Sequence, residues 1–148
     1  MQPLYFFHSS IYPNHKPTMS SIFSKIVKGE IPSYKIAETD DFYAFLDIYP
    51  IAKGHTLVIP KMEVDYIFDL PDDIYLGLHV FAKEIARAMK AAIPCKRIGT
   101  SVIGLEVPHT HIHLVPINSI EDLTFTKPKL KFSPEDFQAI TQSIQKEL

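Results

Sequence analysis

A chain of 148 residues with 46% hydrophobic and 22% charged side chains has material for one sizeable core and little for a second. Its formal net charge of -2, with histidine neutral, is no field for holding nucleic acid through its phosphates, though it leaves nucleotide chemistry open. One cysteine, Cys95, rules out an internal disulfide and fits a reducing, cytoplasmic setting, and no apolar run approaches membrane-spanning length.

Residues 1–18 carry three prolines and no helical or strand period, and they lack a basic start followed by a sustained apolar run. They read as a poorly ordered extension ahead of a single domain at 19–148, the alternative being a β-arm built on Leu4, Tyr5, Phe6 and Phe7. Ser20 or Ser21 caps a short helix carrying Ile22, Phe23, Ile26 and Val27, which Gly29 ends and Pro32 follows with extended chain. Residues 34–38 and 42–46 are expected as strands of a hairpin around Thr39, Asp40 and Asp41. Asp47 to Pro50 breaks that pattern, Gly54 marks a turn, and residues 55–60 read as a buried strand.

Ile74, Leu78, Phe81, Ile85, Met89 and Ala92 recur at steps of three and four, predicting a long amphipathic helix over 72–92 that Pro94 stops. Residues 97–103 form another strand, and 104–108 a loop that delivers a histidine-rich one. After Pro116 the pattern fades until Ser133-Pro134-Glu135-Asp136, a capped helix start that leads into Phe137, Ile140 and Ile144. This order fits an α+β domain with an antiparallel sheet, one long helix, and short helices near the two ends.

Three of the seven histidines stand at 109, 111 and 113, in H-T-H-I-H-L-V-P. In extended chain, side chains repeat every two residues, so the three imidazoles share one face while Thr110, Ile112 and Leu114 turn to a core. Imidazole has an unperturbed pKa of ~6.5 and serves near neutral pH as base, acid or nucleophile. Charge on one ring disfavours charge on the next, so such a row offers a neutral nucleophile beside cationic donors, suited to phosphate. Spacing alone leaves metal binding equally open, since two histidines one residue apart on a strand are a common zinc pair. A water-exposed polar strand is the least eventful alternative.

The stretch resembles the His-x-His-x-His signature of the histidine triad (HIT) superfamily, and the resemblance covers residues 21–116. I-F-S-K-I-V-K-G-E-I-P-S (22–33), A-F-L-D-I-Y-P-I-A-K-G-H-T-L-V-I-P-K (44–61) and G-L-E-V-P-H (104–109) are similar to successive blocks of the branch containing the histidine triad nucleotide-binding proteins. The resemblance implies metal-free nucleotidyl transfer. His111 matches the nucleophile that attacks the α-phosphate and forms a nucleotidyl-histidine. His109 and His113 match outer positions that bind phosphate oxygens and handle protons, and His55 matches a fourth histidine beside them. Asp47 matches the ribose-binding carboxylate, while Ile22, Phe23, Ile26, Phe45, Ile48 and Leu57 match walls of the nucleobase pocket. Read from the sequence alone, those apolar positions are simply core, Asp47 a turn former, and His55 a satisfied core histidine.

The chain departs from the pattern before the triad. It lacks the usual Asn, has a shorter loop, carries Leu105 where Gln is expected, and places Glu106 where some relatives bind the leaving group. Thr100 and Ser101 are the substitute donors available. Lys53 and Lys61 read as solvated surface, and Lys127, Lys129 and Lys131 as protection of a sheet edge rather than phosphate steering.

The resemblance thus implies hydrolysis of a nucleoside 5′-phosphoramidate or similar conjugate, with a purine nucleotide such as an AMP conjugate as substrate. It implies no cofactor and no metal, and a homodimer formed through the long helix and a neighbouring strand. The alternatives are a dinucleoside polyphosphate hydrolase, or a nucleotide-binding regulator with little turnover. A zinc-dependent hydrolase is a minor third.

Overall fold

The computed structural model describes residues 20–148, so the expectations for 1–18 lie outside the described residues. The elements run α1 (Ile22–Val27), β1 (Lys35–Glu38), β2 (Phe42–Leu46), β3 (Thr56–Pro60), α2 (Asp72–Ala92), β4 (Arg97–Ser101), β5 (Ile112–Ile117) and α3 (Pro134–Gln145). Single 3₁₀ turns at Ile67–Asp69 and Ile120–Leu123, neither foreseen in the sequence, precede α2 and follow β5. The strands form one antiparallel sheet in the order β1-β2-β3-β5-β4.

Helices cover the sheet on both faces, and the central strands record this in their composition. FYAFL of β2 is buried at its last four positions and TLVIP of β3 at all five. One set of side chains, Ala44, Leu46, Val58, Ile112 and Leu114, meets α2 and α3. Of the predicted α2 stripe, Leu78, Phe81, Ile85 and Met89 are buried there, with Ala82 and Ala88 beside them. The opposite set, Tyr43, Phe45, Leu57 and Ile59, meets Phe23 and Ile26 of α1. Each fully buried side chain of this size contributes about 1.5–3 kcal/mol, so the larger cluster carries most of the stability and the smaller one positions α1.

The helix ends follow the expected chemistry. Ser21 caps α1 by accepting from the Ser24 N–H at 3.0 Å, and Gly29 takes φ 75° just past its end. Ser133 and Asp136 close a reciprocal capping box on α3. Gly54 has φ 83°, a backbone conformation that the turn delivering His55 reserves for glycine.

Two expectations shift. The strand predicted over 97–103 stops at Ser101, and β5 begins only at Ile112, so His109 lies in a bend and His111 in the unpaired residues just before the strand. The sheet edges among the described residues are β1 and β4, and the lysine-rich segment guards neither. It crosses the loop after β2 instead, where the Leu130 N–H donates to Pro50 O at 2.8 Å.

Candidate active site

Strand register assembles the site on the α1 side of the sheet. Phe45 of β2, Leu57 of β3, His113 of β5 and Ser101 of β4 are successive cross-strand partners, so their side chains share this face. Thr100 pairs with Leu114 and belongs to the opposite row, which leaves Ser101 as the one of the two substitute donors on the histidine side. Asp47 and His55 meet where β2 and β3 part, tied by the Asp47 N–H to His55 O bond of 2.9 Å.

Backbone groups settle which ring nitrogen of each histidine carries a proton. The Ile51 N–H donates to His55 Nδ1 at 3.2 Å, so neutral His55 is protonated at Nε2. That N–H donates to His113 Nδ1 at 3.0 Å, which leaves the His113 proton on Nε2. His111 donates Nδ1–H to the His109 carbonyl at 2.7 Å and keeps a bare lone pair on Nε2. His109 donates Nε2–H to Pro60 O at 2.8 Å and accepts the Ser21 hydroxyl proton on Nδ1 at 2.7 Å.

His111 Nε2 and His113 Nε2 are therefore the ring nitrogens of the triad with no protein partner among the described residues. No buried polar side-chain atom among those residues lacks a partner, so both reach the open side of the site. The two rings stand edge to face with centroids 4.9 Å apart. In its neutral form His111 offers an electron pair there, and His113 offers an uncharged N–H donor.

This departs from the expected cationic donors. Burial holds His55 and His113 down at about 3 and also lowers His109, with neighbouring positive groups adding to the effect at the first two. It departs also at His109, expected on phosphate: both its nitrogens are engaged by Ser21 and Pro60, and its backbone carbonyl accepts from His111.

The positions expected to wall a nucleobase divide in two. Phe23, Ile26, Phe45 and Leu57 are buried, and Phe23 sets its edge against His111 at 5.2 Å and His109 at 5.8 Å. Ile22 and Ile48 are 49% and 54% exposed and free to close on a ligand. Asp47 Oδ1 accepts the Tyr49 N–H at 2.8 Å, as a turn-forming aspartate does, while Oδ2 lies 3.7 Å from His55 Nε2.

Asp47, His55 and His113 also bring ligand atoms within 4.8 Å of one another, a spacing some cations accept. The donor chemistry does not suit one. His55 Nδ1 already accepts from Ile51, so Nε2 keeps its proton and has no lone pair for an ion.

Several contacts carry no sequence signal. Phe125 packs edge-on over His113 at 4.7 Å and His55 at 6.1 Å, in a segment without periodicity. Lys129 donates to Phe125 O at 2.8 Å and its charge helps to keep His55 and His113 neutral. Ser21, Ser24 and Glu63 surround His109, of which only the Ser21 cap was legible. Leu105 and Glu106 are both exposed.

A histidine neutral when folded and ordinary when unfolded costs stability in acid. Above pH ~6.5 neither state binds the proton, and below it the unfolded chain binds protons that the folded protein refuses. Folding free energy should fall as pH drops from about 6.5 towards 3, by up to about 1.4 kcal/mol per unit for each of His55 and His113. Urea unfolding between pH 7 and 5 checks this: wild type should lose more stability than His113→Asn, and equal losses would contradict it.

The model of the HIT domain family matches residues 28–120. An adenosine 5′-monophosphoramidase of Saccharomyces cerevisiae is 44% identical over 96 residues, which are 64% of this chain and 61% of that one. The chain therefore spans less than two thirds of that relative, whereas an adenosine 5′-monophosphoramidase of Schizosaccharomyces pombe is 36% identical over 88% of this chain and 99% of its own. Among solved structures, a HIT-like protein of Bartonella henselae is similar with a TM-score of 0.79 at 28% identity, covering 90% of this chain and all of that one. The family match spans more than half of the chain and includes the triad: this chain belongs to the HIT domain family.

Proposed function

We propose that the protein hydrolyses nucleoside 5′-phosphoramidates, with an AMP conjugate as substrate and His111 as nucleophile. The observation that carries this is the uncoordinated lone pair on His111 Nε2 beside the free N–H of His113. Attack by Nε2 forms a P–N bond to the α-phosphorus, and the bond to the leaving amine breaks as that nitrogen takes up a proton. The His113 N–H lies where it can donate to a phosphate oxygen as charge builds, and its fixed orientation costs no reorganisation at that moment. Water then attacks phosphorus, the electron pair returns to Nε2, and nucleoside monophosphate leaves. Asp47 receives the ribose hydroxyls, and Ile22 and Ile48 close over the base against Phe23, Phe45, Leu57 and Ile26.

The relatives named as adenosine 5′-monophosphoramidases support the amine leaving group. Glu106 supports it over the polyphosphate alternative, because an added carboxylate at a leaving-group position repels an anionic departing chain. Mixing the protein with an adenosine phosphoramidate and quenching in base should trap a mass increase of one AMP on the peptide holding His111. His111→Ala should lose turnover by about 10³-fold or more while keeping its fold and AMP affinity. AMP binding without any adduct or turnover in wild type would favour the regulatory reading instead.

We propose in addition a homodimer through α2 and the free edge of β4. Leu76 and Val80, 62% and 59% exposed on α2, support it, as do exposed Val102 and Ile103 just past β4. Light scattering should give twice the chain mass for wild type at micromolar concentration, and the chain mass for a Leu76→Glu, Val80→Glu double variant. A monomeric wild type would overturn it.

A further inference from the structure

Behind His109 a line of hydrogen bonds leads away from the reacting face to a carboxylate that the proposed chemistry does not use. Ser21 Oγ stands 2.7 Å from His109 Nδ1 and 3.3 Å from Ser24 Oγ. The Ser24 hydroxyl makes a short bond to Glu63 Oε2, which also accepts the Ser21 N–H at 3.0 Å. Glu63 lies three residues past Pro60, whose carbonyl takes the opposite side of the same imidazole. His109 is thus gripped between the end of β3 and the cap of α1.

Proton accounting shows what Glu63 does there. Pro60 O only accepts, so His109 must carry its proton on Nε2 and needs a donor at Nδ1. Ser21 has one hydroxyl proton, and its Oγ lone pairs already receive the Ser24 N–H at 3.0 Å. The Ser24 hydroxyl is turned to Glu63 and so does not donate to His109 from 3.5 Å; its oxygen lies 3.3 Å from Ser21 Oγ, but His109 at 2.7 Å is the nearer acceptor for the Ser21 proton. Glu63 is held ionised: burial alone would raise its carboxyl, but the bonds from Ser24 and Ser21, with the nearby Lys28, hold it below the usual range.

We propose that Glu63 is a positioning residue for catalysis. Through Ser24 and Ser21 it holds the hydroxyl donor that, together with the Pro60 carbonyl, keeps His109 in the Nε2–H form, and so steadies the residue whose carbonyl accepts the His111 Nδ1–H. The proposal rests on His111 being the nucleophile, as set out above. Glu63 never touches substrate, and it differs from a simple brace on α1 in controlling where a proton sits.

The test compares wild type with Glu63→Ala, Glu63→Gln and Ser21→Ala in three measurements: kcat and KM on an adenosine phosphoramidate, AMP affinity by calorimetry, and imidazole ¹⁵N spectra. Glu63→Ala and Ser21→Ala should lower kcat about tenfold with KM and AMP affinity within about twofold, and should turn the His109 signals from one tautomer into a mixture. Glu63→Gln should restore the single tautomer and most of kcat, because an amide oxygen can accept the same two bonds. A single His109 tautomer with undiminished kcat in Glu63→Ala and Ser21→Ala would overturn the proposal. So would equal losses in Gln and Ala variants accompanied by weaker AMP binding, the mark of a displaced α1. Should wild type show no turnover, nucleotidyl transfer is what fails, and the His109 spectra still decide the role of Glu63.

Discussion

Three backbone groups govern the chemistry of this site. The Ile51 N–H and the carbonyls of Pro60 and His109 each bond one imidazole nitrogen, and together they place the proton on every histidine of the cluster. A neutral imidazole has one donor and one acceptor, so satisfying one nitrogen dictates the other. Four rings packed this closely could not all be charged, and burial removes the option for at least three of them. His55, His109 and His113 therefore act as dipoles rather than cations. That suits attack on an anionic phosphorus, because the nucleophile needs its electron pair and the phosphate oxygen needs a fixed donor.

The fold serves that arrangement by separating two jobs. The large cluster under α2 and α3 supplies the bulk of buried apolar area, leaving the opposite face of β2, β3 and β5 free to carry Phe45, Leu57 and His113 in register. The short helix α1 contributes little area, yet its cap Ser21 and its aromatic Phe23 both touch the triad. Gly54 and the loop to Pro50 bring the Ile51 N–H and His55 to one end, while the end of β3 brings Pro60 and Glu63 to the other.

Much of this was legible in the sequence for identifiable reasons. The stripe from Leu78 to Met89, the Ser133 capping box and the apolar runs of β2 and β3 are local signals, and the elements followed them closely. The two-residue spacing placed three histidines on one face even though the strand itself starts at Ile112, since extended chain alternates whether or not it is paired. Resemblance, not spacing, separated phosphoryl chemistry from metal binding. What stayed hidden was whatever depends on long-range contact. Phe125 over His113, Glu63 behind Ser24 and the proton positions join residues well separated in the chain or involve backbone groups that no side-chain pattern encodes. The expectation of charged donors failed for the same reason, as burial is a property of the assembled site. Lys127, Lys129 and Lys131 suggest protection of a sheet edge, yet nothing local tells where their segment runs, and it folds over the loop after β2.

The most direct measurement is a long-range ¹H–¹⁵N correlation spectrum of the imidazoles in the unliganded protein at neutral pH. The account predicts a non-protonated Nε2 on His111 together with a protonated Nε2 and bare Nδ1 on His113. An imidazolium at His113, or a lone pair on Nδ1 of His111, would contradict it.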